Sequence, residues 1–134
     1  MGGSEEACRV VKMLLGRKDV NPDQVDTENG HTLLSWAAMS GHEWVVKVIL
    51  ERNDVNPNKA NFHGWTPLSW AAAMGHERIV KMLLERDDAN PYQADNFNLT
   101  PLSLALSNGH DRVAKTILEW DNAGSNIANI FSHA

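Results

Sequence analysis

The chain has 134 residues, a formal net charge of -5 and 43% hydrophobic residues, which fits one globular domain with a buried core. The acidic balance argues against a nucleic-acid partner, because phosphate binding requires clustered Lys and Arg. Cys8 is the only cysteine, so an internal disulfide is excluded and a reducing intracellular compartment is expected.

The first predicted element is a helix near the start of the chain. Ser4, followed by Glu5 and Glu6, suits a helix start, and residues 10–15 read Val-Val-Lys-Met-Leu-Leu. The opening residues have neither the basic nor the apolar stretch of a signal peptide. Apolar runs elsewhere are too short to span a bilayer. We therefore expect neither secretion nor a membrane partner.

The rest of the chain repeats itself at a fixed spacing. A Gly-His-acid triplet recurs every 34 positions, at residues 41–43, 75–77 and 109–111. A period of this size indicates a repeat array. Three full copies follow one another, at residues 30–50, 64–84 and 98–118. Residues 10–15 match only the second half of a unit, so the array is about three and a half units long.

The second copy shows the plan of each unit, which is two short helices joined by a turn. Thr66 suits the N-cap of the first helix, and Pro67 suits its first helical position. Gly75 suits the end of that helix, where positive φ is needed. Glu77 opens the second helix, whose dipole favours an anion there. Pro91 then excludes further helix, and a polar, turn-rich loop leads to the next copy.

The repeat resembles the ankyrin repeat over residues 8–121, through the pattern Gly-x-Thr-Pro-Leu-Ser-x-Ala-Ala-x-x-Gly-His-Glu. Its sequence is most similar to the ankyrin arrays of filamentous fungi. The resemblance implies an all-α solenoid of stacked helix-turn-helix units with protruding β-turn or hairpin loops. We expect a single domain, 1–134, with these parts: an N-terminal half repeat at 4–22, repeats at 23–57, 58–91 and 92–121, and a C-terminal capping segment at 122–134.

The chain departs from the family pattern at two kinds of position. Ser35, Ser69 and Ser103 stand where the commoner motif has His, so the usual His hydrogen bond must be replaced or absent. Leu33 stands in place of the expected Pro, and the first loop has one extra residue within 26–29. These changes predict a looser helix start or a shifted hairpin in the first full copy.

The polar residues do not predict a metal, cofactor or catalytic site. His42, His76 and His110 are related by the repeat and should lie one repeat apart, too far to share an ion. We expect them to form hydrogen bonds between helices and to the neighbouring unit. Cys8 has no indicated His partner. The turn carboxylates are interpreted as solvated: Asp19, Asp54, Asp87, Asp88 and Asp121. The chain is therefore predicted not to be an enzyme.

Aromatic and C-terminal residues give three structural expectations. Trp36 and Trp70 are expected to pack between repeats. Trp44 is expected to be an isolated exposed ring, with a second partner contact as the alternative. Ser125 is expected to cap a short helix that covers the last repeat with Ile127, Ile130 and Phe131. A disordered tail is the alternative.

Resemblance to the ankyrin family implies that hairpin tips and the concave face of the first helices hold a partner. The expected contact residues are Glu28, His31, Met39, Phe62, His63, Trp65, Met74, Asn96, Phe97, Leu99 and Asn108. Several are apolar, and contiguous exposed apolar residues mark interaction sites. The alternative is that Phe62 and Phe97 tuck beneath the hairpins as local packing.

These observations predict a non-catalytic scaffold or adaptor that binds a protein partner in the cytoplasm, with the nucleus left open. The partner is expected to be neither nucleic acid nor membrane. Two alternatives share the fold: a fragment or relative of the sensor arm of a larger receptor, and a small enzyme inhibitor. Self-association through the N-terminal half repeat is a further alternative.

Overall fold

The computed structural model describes residues 9, 13, 16, 17 and 21–132, with side-chain surroundings up to residue 121. Most of the predicted N-terminal half repeat, Cys8 and the proposed side-chain contacts of Ile127, Ile130 and Phe131 lie outside the described residues. Six helices are described: α1 (Leu33–Ser40), α2 (Glu43–Leu50), α3 (Pro67–Met74), α4 (Glu77–Leu84), α5 (Pro101–Ser107) and α6 (Asp111–Ser132).

Thr side chains start the first helix of each copy. Thr66 Oγ1 accepts a hydrogen bond from Ser69 N at 3.1 Å, and Ser69 Oγ accepts one from Thr66 N at 3.1 Å. Thr100 and Ser103 form the same reciprocal pair. This capping box satisfies two backbone donors at the helix start. Ser69 and Ser103, at the position where the commoner motif has His, thus form a local hydrogen bond at the helix start.

The first copy has only half of this arrangement. Thr32 Oγ1 accepts from Ser35 N at 3.1 Å, but the buried Ser35 Oγ has no hydrogen-bond partner among the described residues. Leu33 occupies the position that Pro67 and Pro101 hold in the later copies. The start of α1 is therefore less fully bonded, as the sequence predicts.

The helices form two parallel layers. α1, α3 and α5 pack side by side in one layer, and α2, α4 and α6 pack behind them in the other. Small residues in the first layer, such as Ala37, Ala71 and Ala105, are almost fully buried and let neighbouring helices approach closely. The core between the layers contains these large, fully buried apolar side chains: Leu34, Val46, Ile49, Ile79, Val80 and Val113.

An arginine joins the second copy to the first. Arg86 Nη1 donates to the carbonyls of Leu50 at 2.9 Å and Arg52 at 3.1 Å, and Arg86 Nη2 donates to Val55 O at 3.3 Å. The Leu50 carbonyl is at the C-terminal end of α2, where the helix dipole favours a cation, and the other two lie in the turn that follows. Asp88 holds the guanidinium from the other side, with two hydrogen bonds of 3.0 and 2.9 Å.

The acidic turn residues are therefore not merely solvated. Asp54 accepts two hydrogen bonds from Arg52, at 2.9 and 2.7 Å, as Asp88 does from Arg86. The hydrogen bond from the guanidinium is the main cause that lowers the pKa of each carboxyl. Asp54 and Asp88 remain exposed, but they orient the arginines that connect the copies. The sequence-based interpretation missed this role.

The C-terminal end differs from the expected short helix. α6 is continuous from Asp111 to Ser132, so Ser125 lies inside a helix and does not begin one. The second helices of the earlier copies are followed by Asn56-Pro57 and Asn90-Pro91, whereas no proline follows Asp111. Without that block the backbone continues as helix. The prediction of a capping helix that starts at Ser125 is wrong, and the alternative of a disordered tail does not describe this backbone either.

Gly75 offers a test of how closely the copies are packed. A Cβ on Gly75 would lie 2.6 Å from His110 Nδ1, whereas one on Gly109 would meet no atom within 4 Å. Both glycines have positive φ, of 77° and 75°. Replacement by Ala should cost about 1 to 2 kcal/mol at Gly109 from the backbone alone. Gly75→Ala should cost about 1 to 3 kcal/mol more, because His110 must shift. Urea unfolding of both variants measures the difference, and equal losses would show that the His110 contact carries no energy.

Candidate protein-interaction surface

Each hairpin tip is shaped by one side chain at its start. Asp95 Oδ1 accepts hydrogen bonds from the backbone N–H groups of Phe97 and Leu99, both at 2.8 Å. Asp95 N donates to Leu99 O at 2.9 Å and closes the loop. Asn61 performs the same function in the preceding hairpin. An Asp or Asn that bonds to the backbone two residues later is a common turn former, and it fixes the tip without any packed core.

The first hairpin is one residue longer than the others. Asp26 N donates to His31 O at 3.0 Å, five positions ahead, whereas Asn61 N donates to Trp65 O at 2.9 Å, four positions ahead. Asp26 Oδ1 accepts from Asn29 N at 2.7 Å and from Gly30 N at 3.0 Å. The N–H of Asn29 is the main cause that lowers the pKa of Asp26. The extra residue predicted from the sequence is thus accommodated by an altered hairpin.

Hydrogen bonds join neighbouring tips into one edge. Phe62 N donates to Asn29 O at 2.9 Å, and Asn96 N donates to His63 O at 3.0 Å. Asn96 Nδ2 also donates to Phe62 O at 3.0 Å. The three hairpins are therefore positioned by their backbones, and the side chains of this edge have defined places relative to one another.

The aromatic and aliphatic side chains of this edge are exposed. Phe62 is 59% and Phe97 79% exposed, and Met74, at the end of α3, is 45% exposed. Phe62 lies against the preceding hairpin, since a Cβ on Gly30 would come within 2.6 Å of its ring. Phe97 has no comparable burial. The alternative in which both rings tuck beneath the hairpins therefore fails for Phe97 and holds only in part for Phe62.

Trp65 behaves differently from its neighbours. Its indole is half-buried, donates from Nε1 to Asp95 Oδ2 at 2.9 Å, and lies 4.4 Å from the ring of Trp70. His31 contacts the same Trp70 edge-on, at 5.6 Å between ring centroids. These three rings bind the first two hairpins to α3. Trp65 and His31 thus have structural contacts of their own, in addition to the partner contact that the sequence predicts for them.

The predicted contact residues divide by exposure. Among them, His31, Met39 and Trp65 are half-buried. The exposed ones are Glu28, Phe62, His63, Met74, Asn96, Phe97, Leu99 and Asn108. Asn108 uses its amide to cap α5, donating to Leu104 O at 2.8 Å. We refer to Phe62, His63, Met74, Asn96, Phe97 and Leu99 as the tip surface.

The structure corrects the expectation for Trp36. Trp70 is half-buried and packs against the core, as predicted. Trp36 is 51% exposed and stacks on His42, with ring centroids 6.2 Å apart. His31 of the preceding hairpin contacts Trp70 and contributes to its burial. Among the described residues, no aromatic ring of a preceding hairpin contacts Trp36. The prediction that Trp36 is packed between repeats is therefore wrong. Trp44 is exposed, as predicted.

The repeat histidines take part in contacts between copies. His76 Nε2 lies 3.2 Å from Met39 O of the preceding copy, and the His110 ring lies directly behind Gly75. The predicted hydrogen bond to a neighbouring unit is confirmed for His76. Among the described residues, no His, Cys, Asp and Glu side chains are grouped closely enough to hold a metal ion.

Charge is distributed unevenly between the two layers. The first-layer helices α1, α3 and α5 contain no Asp, Glu, Lys or Arg, whereas α2 and α4 carry several. On the outer side, Lys81 pairs with Glu77 at 3.4 Å, and Arg78 lies 3.9 Å from Glu43 of the preceding copy. The tip surface and the inner helices therefore carry no Asp, Glu, Lys or Arg, whereas Asp26 and Glu28 are exposed on the first hairpin. In the described part of the chain, no helix is long and apolar enough to cross a membrane.

Comparison with protein families gives a match over most of the chain. The family model described as "Ankyrin repeats (3 copies)" matches residues 3–95 and residues 64–129. No curated protein matches the chain significantly.

Asp95 allows a test of how the tip is held. Asp95→Ala removes the acceptor for two backbone N–H groups and for the Trp65 indole, so it should lower the free energy of unfolding by about 2 to 4 kcal/mol. Asp95→Asn keeps an oxygen for the backbone, as Asn61 does, and should cost about 1 kcal/mol through the indole alone. In a Trp65→Phe background Asp95→Asn should cost almost nothing further. Denaturant unfolding checks this order, and equal losses for Asn and Ala would contradict it.

Proposed function

Because the chain belongs to the ankyrin-repeat family, whose repeats are generic protein-interaction modules, we propose that it binds a protein partner through the tip surface and the adjoining inner helices. The observation that carries the proposal is the exposure of Phe62, Phe97 and Met74 beside inner helices that contain no charged residue. Phe and Met are enriched at the centres of protein interfaces relative to other surface.

The rigidity of the tips supports the same proposal. The backbones of the three hairpins are connected by the Phe62–Asn29 and Asn96–His63 hydrogen bonds, so the apolar side chains are held in place before a partner arrives. Binding loses affinity when loops must be ordered, and preorganised loops avoid that cost. An exposed Phe on a fixed tip is therefore better suited to a partner contact than one on a mobile loop.

The charges near the tip surface suggest what the partner is like. Asp26 and Asp95 each direct one carboxylate oxygen to backbone N–H groups, and the exposed acids of the first hairpin are Asp26 and Glu28. The area of the tip surface that contacts a partner is therefore mainly apolar. We propose a partner that presents apolar side chains, with an affinity that changes little with salt concentration.

We further propose that the module is non-catalytic and acts as a scaffold or adaptor in the cytoplasm. Its single cysteine supports a reducing compartment. A receptor sensor arm or an enzyme inhibitor would use the same surface, and the partner's identity would distinguish them.

Substitution of Phe62, Met74 and Phe97 together by Ala should remove partner binding. Truncation of a buried interface anchor costs about 1 to 2 kcal/mol or more, so the triple change should weaken affinity by about 100-fold or more. Trp44→Ala with Leu118→Ala is the matched control, because both residues are exposed apolar side chains outside the tip surface. Affinity capture from the source organism followed by titration of the retained protein provides the measurement.

Both variants should keep the unfolding midpoint of the parent chain, because the substituted side chains are exposed. Partner capture that survives the tip substitutions but fails in the Trp44 and Leu118 control would assign binding to the outer helices and overturn the proposal.

A further inference from the structure

A groove crosses the outer side of the stack between α2 and α4. We refer to it as the Trp44 groove, and it has a volume of about 520 Å³ and is lined by Glu43, Trp44, Lys47, Arg78, Lys81 and Met82. Three of these residues are cations and one is an acid, although the chain as a whole has a net charge of -5. Two neighbouring grooves on the same side each have two cations and two acids in their lining. The excess of positive charge is therefore local to the Trp44 groove.

The cations of the Trp44 groove are only loosely neutralised by the chain itself. Lys47 forms no ion pair among the described residues. Arg78 Nε lies 3.9 Å from Glu43 Oε1, and the Arg78 side chain is 84% exposed. Lys81 Nζ lies 3.4 Å from Glu77 Oε1, and the Lys81 side chain is 57% exposed. Exposed ion pairs contribute little free energy, so these cations can bind the carboxylates of another molecule.

The groove also has an apolar surface that is not part of the repeat pattern. Trp44 is 57% exposed. Met82 packs against the core and lines the groove with the part of its side chain that the core leaves uncovered. One copy later, the residues at these two positions are Arg78 and Thr116. The two apolar side chains are thus particular to this groove, and Trp and Met are enriched at protein interfaces.

The surroundings of the groove favour a short protein segment over an extended polyanion. Glu51 and Glu85 lie one turn beyond Lys47 and Lys81, at the C-terminal ends of α2 and α4, and both are exposed. These acids would repel the phosphates of a nucleic acid or of a lipid surface, which bind to clustered basic residues. A short acidic segment can place its carboxylates at the groove and end before it reaches Glu51 and Glu85.

From this charge and this apolar lining we propose that the Trp44 groove binds an acidic segment of a second partner protein. An apolar side chain of the segment packs against Trp44 and Met82, and carboxylates on either side of it lie near Lys47, Arg78 and Lys81. Complementary charge selects the partner and speeds its association. The groove lies in the second layer of helices, whereas the tip surface adjoins the first, and the inference does not rest on the function proposed for the tip surface.

The test uses the whole chain and the peptide acetyl-Glu-Glu-Leu-Glu-Glu-amide. We expect this acidic peptide to shift the NMR signals of the Trp44 indole N–H and of the backbone amides of residues 78–82, with a millimolar Kd. A peptide with Gln in place of every Glu should bind about tenfold more weakly, because it lacks the charges. A peptide with Ala in place of Leu should bind about threefold more weakly, because it buries less apolar surface.

Salt provides a second measurement on the same peptide. Added sodium chloride should weaken binding of the acidic peptide, because it screens the exposed charges of the groove. This response differs from the small salt dependence expected for the partner of the tip surface, so the two sites can be distinguished.

Matched variants separate this groove from the rest of the outer side. Lys47→Gln should weaken binding of the acidic peptide about threefold, the effect of one exposed charge. Lys115→Gln, at the equivalent position of the third copy and outside the groove, should leave the Kd unchanged. Trp44→Ala should weaken binding about fivefold, whereas Leu118→Ala, which removes another exposed apolar side chain, should not. All four residues are exposed, and a dispersed amide spectrum checks that each variant is folded.

Four results would overturn the proposal. The first two are no shift of these signals by the acidic peptide and equal Kd values for the acidic and Gln peptides. The third is equal effects within either pair of variants. The fourth is a stronger shift of the same signals by a short oligothymidylate or by vesicles that contain phosphatidylserine, which would assign the groove to a nucleic acid or a membrane. Failure of the tip-surface substitutions to affect partner capture would leave this inference unaltered, since it concerns other residues.

Discussion

The structure depends on hydrogen bonds that each copy forms with the copy before it. Arg86 donates to carbonyls 31 to 36 positions earlier, and His76 lies against Met39 O, 37 positions earlier. Two helices of eight residues each expose most of their apolar surface when alone. Stacking buries that surface against the neighbouring pair. The neighbour contacts, more than any property of an isolated unit, therefore determine where each helix and hairpin lies.

The tip surface is a consequence of this stacking. Asn61, Asp95 and the bonds between tips fix the hairpins, together with the Trp65 contact with Trp70. Phe62 and Phe97 are also present there and largely exposed. A side chain that contributes little to the fold yet exposes an aromatic ring at a fixed position is well placed to contact another protein. The uncharged inner helices extend this surface, whereas the charged outer helices keep the opposite side hydrated.

The sequence predicted the features that depend on local chemistry. The helix starts at Thr66 and Thr100, the glycine that ends α3 and the longer first hairpin all follow from residue types at repeat spacing. The errors concern features that depend on neighbours. Trp36 resembles Trp70 in sequence, but only Trp70 has His31 beside it. Ser125 resembles a helix cap, but no earlier proline ends α6. The role of Arg86 required the coordinates, because a side chain's acceptors on another copy cannot be identified from spacing alone.

Hydrogen exchange of the native chain tests the central claim that each copy is stabilised by its neighbour. Replacing Arg86 with Leu removes its bonds to Leu50, Arg52 and Val55 and changes no residue of the first full copy. We expect amides in α1 and α2 to lose protection together with those in α4, by about 1 to 3 kcal/mol in opening free energy. Unchanged protection of α1 and α2, with loss confined to α4, would contradict it.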